Sequence, residues 1–216
     1  MHEMIDRVEM AVRRAMEAQD KAHDWHHIER VRTMALRIAE KEGGDKELIE
    51  LGALIHDVGD RKAHESEEAG HAATFALLAE CAVPQDLADK VADIAHRVSF
   101  KGAGVVDDMP TLEGQIVQDA DRLDAIGAIA IARTFTWGGA KGRAIYDPNE
   151  SITLAQNAEQ YYSRGASSIG HFHEKLLHLK DRIHTKTARE IAEHRHEFME
   201  HFLDEFMKEW EGKDVL

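Results

Sequence analysis

Three short stretches place imidazoles and carboxylates within helices that otherwise read as apolar: His27, the doublet His56-Asp57, and Gln118-Asp119-Ala120-Asp121-Arg122-Leu123-Asp124. The doublet is the sharpest. Leu48, Leu51, Gly52 and Ile55 recur at i, i+3, i+4 and i+7, a buried helical stripe that runs straight into His56 and Asp57. Gly59 is expected to end that helix. An unpaired carboxylate buried there would cost on the order of 3 kcal/mol or more. A divalent metal or a buried cation would remove that cost. His27, His56, Asp57 and Asp121 together offer nitrogen and oxygen donors, a set that suits Mn, Fe, Co, Ni, Zn or Mg better than a thiolate-loving metal. A metal so held lowers the pKa of its water and polarises a phosphoryl group.

Taken singly, each residue has another account. A second His-Asp, His23-Asp24, is explained by a turn and a helix cap. His27 alone reads as a capped or surface histidine, and Asp121 alone as the ion-pair partner of Arg122 or Arg133. The three clusters in this order and helical context are more specific than any one. Around them, Asp60 lies one turn after His56, placed to orient a water or a ligand, or to serve as an ordinary turn carboxylate. His96 ends an apolar helix, as a proton donor to a leaving oxygen or as a satisfied helix-end histidine. Lys62, Lys101, Arg122 and Arg133 are the candidate phosphate cations, with surface solvation or ion pairing as the alternative. Phe100, Trp137 and Tyr146 are candidates for stacking on a base or for packing.

The elements that must hold these residues are all helical. Amphipathic patterns predict helices over 3–19, from an Asp24 cap to Gly43-Gly44, from an Asp45 cap through the doublet, over 66–82, and from Pro84 to Val98. A charged loop over 60–65 and a loop over 99–110 separate them. One long helix is expected from Thr111 towards Thr136, then a loop over 137–149. Helices near 151–163, 167–181 and 186–211 follow. There is no convincing β alternation and no internal repeat, so an all-α, compact single-domain fold is expected. It spans 1–216, with 151–211 as C-terminal helices.

Composition narrows the function. The chain has 216 residues and a net charge of -14, which argues against broad nucleic-acid binding but not against a small anion in a metal-bearing cleft. Aromatics are 6% and prolines number three, favouring helix over sheet. The one cysteine, Cys81, excludes an internal disulfide and a thiolate-rich metal site. No signal peptide and no apolar run of the ~20 residues a membrane span needs is visible. The expected location is cytoplasmic. Oligomeric state is not legible.

The pattern resembles the HD-domain superfamily of metal-dependent phosphohydrolases. The resemblance rests on His27-Ile28-Glu29-Arg30-Val31, Leu54-Ile55-His56-Asp57-Val58-Gly59-Asp60, Ser99-Phe100-Lys101-Gly102 and the run from Val117 through Asp121 to Ala128. Ile131-Ala132-Arg133-Thr134-Phe135, His171-Phe172-His173-Glu174-Lys175-Leu176-Leu177 and Lys186-Thr187-Ala188 extend it over nearly the whole chain. It implies His27, His56, Asp57 and Asp121 as ligands of one divalent metal, with Mn favoured. It further implies a nucleotide substrate, as in a bacterial branch similar to nucleotide pyrophosphohydrolases. The expected reaction splits a nucleoside triphosphate to monophosphate and pyrophosphate by attack of a metal-activated water. Alternatives are a nucleotide phosphomonoesterase or alarmone-type hydrolase, and a non-catalytic nucleotide-binding regulatory module. The Gly-Tyr-Pro signature of the cyclic-dinucleotide branch is missing.

Overall fold

The structure is a computed structural model that describes residues 2–17, 25–60, 64–98, 108–151 and 166–214. Among these the regular elements are α-helices and short 3-10 turns, with no strand. The fold is the all-α one expected. Close contacts gather the described residues into two compact units. The first holds 2–17, 25–60, 64–98, 108–121 and 184–187, and the second 122–151, 166–183 and 188–214.

The first unit is built around α3 (Lys46–Ile55), which packs against α1 (His2–Glu17), α2 (Trp25–Glu42) and α5 (Gln85–Val98). Leu48 to Ile55 are buried except Glu50, so α3 is apolar almost all round, the pattern of a central helix. Ile49, Leu51, Leu54 and Ile55 are fully buried, worth about 1.5–3 kcal/mol each. Asp45 starts α3, accepting from the Glu47 amide at 3.0 Å, a cap worth about 1 kcal/mol. Ser66 caps α4 (Glu67–Glu80) in the same way through the Ala69 amide. Arg32 on α2 bridges Glu9 on α1, at 2.7 Å, and Glu50 on α3.

The structure departs from expectation at the end of α3. The helix stops at Ile55, and His56 to Gly59 form a turn with i to i+3 hydrogen bonds from Val58 to Ile55 and from Asp60 to Asp57. Close approach of α4 shapes that turn. A Cβ on Gly59 would stand 2.7 Å from Thr74 Oγ1 and 2.8 Å from the Gly70 carbonyl, and one on Gly70 would overlap the Gly59 carbonyl.

The single long helix expected from Thr111 is instead two, α6 (Leu112–Asp124) and α7 (Ala128–Ala140). Gly127, with φ of 88°, makes the break, a conformation that side chains bearing a Cβ resist. The apolar run from Ala125 to Ala132 hid it in the sequence. The loop expected from 137 starts later, because α7 continues to Ala140. In place of a helix over 167–181 there is a short α8 (Ser168–Glu174), followed by 3-10 turns at Leu176–His178 and Lys180–Arg182. The final helix, α9 (Lys186–Glu211), has the expected bounds. The helix expected near 151–163 lies outside the described residues beyond Ser151. In the second unit Phe135, Phe172 and Phe202 pack as one aromatic cluster, with Phe172 fully buried.

Candidate metal centre

Helix α2 carries His27 on its buried face, in the same stripe as Ile28, Val31 and Ala35. The turn after α3 carries His56 and Asp57, and α6 carries Asp121. The structure brings all four together. His27 Nε2 lies 3.3 Å from His56 Nε2, 3.4 Å from an Asp57 carboxylate oxygen and 3.4 Å from Asp121 Oδ1. His56 Nε2 lies 3.5 Å from Asp57 and 3.8 Å from Asp121. Three of the four, His27, His56 and Asp57, are buried. Asp121 keeps 28% of its side chain accessible and gives the cluster its open side.

The protonation pattern suits a cation. His56 Nδ1 lies 2.8 Å from the Ala53 carbonyl. A carbonyl only accepts, so the proton sits on Nδ1 and the Nε2 lone pair faces His27. A backbone carbonyl fixing the far nitrogen in this way is the usual support of a metal-binding imidazole. Two imidazole nitrogens 3.3 Å apart with two carboxylates beside them form a place that favours a shared positive charge. Donor atoms about 2.0–2.1 Å from one ion stand roughly 3.0–3.4 Å from each other, close to the separations seen. The residues present therefore fit a divalent metal. Burial pushes the Asp121 carboxyl up, yet its hydrogen bond to His27 and the two neighbouring imidazoles hold it below the usual carboxylate range.

The other candidates are placed as follows. Asp60 is half-buried, and its amide closes the turn onto the Asp57 carbonyl at 3.2 Å. His96 lies near the end of α5 and faces His71 on α4, ring centroids 5.7 Å apart. His71 was not legible as a site residue, because it sits among alanines on a weakly patterned helix and only the packing of α4 on α5 brings it to His96. His64 was likewise missed; its Nε2 lies 2.8 Å from the Val58 carbonyl and braces the doublet's turn. Lys62, Lys101 and Phe100 lie outside the described residues. Arg122 and Arg133 belong to the second unit. Arg122 donates from Nη1 to the Arg182 carbonyl, and Arg133 pairs with Asp124 at 2.6 Å. Trp137 lies under the Arg143 guanidinium, and Tyr146 packs edge-on to Phe206 and Trp210.

The family model of the HD domain matches residues 24–126, which span every donor of the cluster. The protein YpgQ of Bacillus subtilis (strain 168) is 39% identical over 198 residues, 91% of this chain and 89% of that protein. The chain belongs to the HD superfamily of hydrolases. Among solved HD-superfamily structures, a hydrolase from Bacillus thuringiensis is 42% identical, with a TM-score of 0.76 over 97% of this chain and 98% of that one. Bacillus subtilis YpgQ, crystallised in complex with ADP, has a TM-score of 0.74 at 36% identity, covering 95% of this chain and 97% of that one. The HD match thus covers the segments of chain that carry His27, His56, Asp57 and Asp121. Among the described residues, no helix is long and apolar enough to cross a membrane.

Proposed function

We propose that this chain is a metal-dependent nucleotide phosphohydrolase that splits nucleoside triphosphates to monophosphate and pyrophosphate. The observation that carries the proposal is the convergence of His27, His56, Asp57 and Asp121 with the His56 lone pair turned inward. The ADP complex of a relative similar over nearly the whole chain supports a nucleotide as the substrate class. Residues 1–216 act as one HD-type domain, and the single cysteine suits a reducing cytoplasm.

One divalent ion, manganese in this proposal, would be held by His27, His56, Asp57 and Asp121, and would supply an acidified water and charge neutralisation at phosphorus. The protein's own groups do the rest. Asp60, set by the turn one step beyond Asp57, accepts a hydrogen bond from the attacking water and aims it. His96, with His71 beside it, holds a proton for the leaving oxygen. Lys62, Lys101, Arg122 and Arg133 are the proposed phosphate-binding cations; Arg122 Nη1 also bonds the Arg182 carbonyl and Arg133 Nη1 pairs with Asp124.

The test is a panel of nucleoside triphosphates with several divalent metals, scored separately for pyrophosphate and orthophosphate. Pyrophosphate and monophosphate in equal amounts are expected. Orthophosphate alone would move the assignment to a phosphomonoesterase, and nucleotide binding without turnover would make the chain a regulatory module.

A further inference from the structure

Asp119 is fully buried, two residues before Asp121, and is not one of the converging donors. Successive residues of an α-helix are about 100° apart, so Asp119 and Asp121 look roughly 200° away from each other on α6. While Asp121 faces the histidines, Asp119 faces residues 184–187 of the same unit. Its Oδ1 accepts from the His184 amide at 2.8 Å. Its Oδ2 accepts from the Thr185 amide at 2.7 Å and the Thr185 hydroxyl at 2.8 Å. Gln118 continues the clamp. Its amide donates to the Arg97 and Val98 carbonyls at the end of α5, and its oxygen lies 2.7 Å from His184 Nε2. A buried carboxylate with three donors aimed at it tolerates little rotation of the helix that bears it, because any slip leaves charge or donors unpaired.

We propose that Asp119 is a positioning residue: locked to His184 and Thr185 behind α6, it sets the helix rotation that turns Asp121 towards His27, His56 and Asp57. The proposal rests on the metal-site reading above. Gln118 adds a second fixed point, tying α6 to the α5 terminus that carries His96.

The experiment measures Mn²⁺ affinity by calorimetric titration, beside far-UV circular dichroism and thermal unfolding, for the wild type and Asp119→Asn. Asparagine keeps one acceptor oxygen but sets an NH₂ against an amide that needs an acceptor. Thr185→Val removes only the hydroxyl bond. Leu78→Ala, which opens a cavity at a fully buried position of α4 outside the clamp residues, serves as the control for lost stability. Expected are wild-type affinity in Leu78→Ala, binding about tenfold or more weaker in Asp119→Asn with helix content kept, and a smaller loss in Thr185→Val. Folded Asp119→Asn with wild-type affinity overturns the proposal, as does equal weakening in Leu78→Ala. If Asp119→Asn does not fold, Thr185→Val decides, and wild-type affinity there overturns it. Wild-type protein that binds no Mn²⁺, unchanged by Asp121→Ala, removes the metal reading itself and the positioning role with it.

Discussion

His27 and His56, 29 residues apart in sequence and on different helical segments, bring their Nε2 atoms to 3.3 Å. With the His56 proton held on the Ala53 carbonyl, the pair cannot satisfy itself by an ordinary hydrogen bond unless His27 carries a proton on Nε2. A proton on His27 Nε2 or a metal ion can fill that gap, and the two neighbouring carboxylates favour the higher charge of the metal.

Metal binding should therefore stabilise the fold. At a free Mn²⁺ concentration 100 times its dissociation constant, the gain is about 2.7 kcal/mol. For a domain of this size that raises the melting temperature by roughly 5–10 °C. Differential scanning calorimetry with and without a chelator checks it. Asp57→Ala should abolish the shift, and a shift of equal size in that variant would remove Asp57 from the ligand set.

Asp60→Asn and His96→Gln should retain metal but lose turnover. General acid–base groups contribute about 10²–10⁴-fold, so kcat should fall within that range while Mn²⁺ affinity stays within twofold of wild type, taken as roughly unchanged. Steady-state kinetics beside metal titration separates the two effects. Unchanged kcat in His96→Gln would move the proton donor to His71 or to solvent.

Gly70→Ala should be costly, because this glycine is buried although its helix neighbours Ala69 and His71 are exposed. In an open helix the change is mildly stabilising. Here a Cβ would meet the Gly59 carbonyl, so α4 must shift or the turn bearing His56 and Asp57 must open. A loss of about 1–3 kcal/mol in urea denaturation is expected, as for overpacking. Ser66→Ala, losing only a cap, should cost about 1 kcal/mol and leave metal binding intact.

Glu42 supplies a pH-dependent term. The Thr187 side chain and amide, the latter 2.6 Å from Glu42 Oε1, hold its carboxyl below the usual range. A depressed folded pKa gives stability that is present above the unfolded pKa and lost as pH falls through the folded value. Glu42→Gln should thus lower stability at neutral pH and narrow its difference from wild type in acid. Melting temperatures across pH 3 to 7, roughly the carboxylate range, test this; parallel curves would contradict it.

Much of this was legible in the chain itself. The apolar stripe Leu48, Leu51, Ile55 made α3 a buried helix, and Asp45 and Ser66 announced their caps, because these are local effects of spacing and hydrogen bonding. The four donors could be named because imidazoles and carboxylates on inward helix faces have few inexpensive alternatives to a shared cation. Their resemblance to a known family matched residue types at separations that one chain can compare. The break at Gly127 was not legible, since the apolar residues around it fit one helix as well as two. A positive φ declares itself only when the backbone is folded.

What the sequence determined, then, was composition of the site: which side chains could give nitrogen and oxygen to an ion, and that helices would carry them. Tertiary structure alone decided their convergence, the Gly59–Gly70 crossing that shapes the turn, and the buried clamp of Asp119 on Thr185. The physical reason is distance along the chain. Helix and cap formation depend on neighbours within about four residues, whereas these contacts join residues from 11 to 94 positions apart, where only the packed core fixes who meets whom.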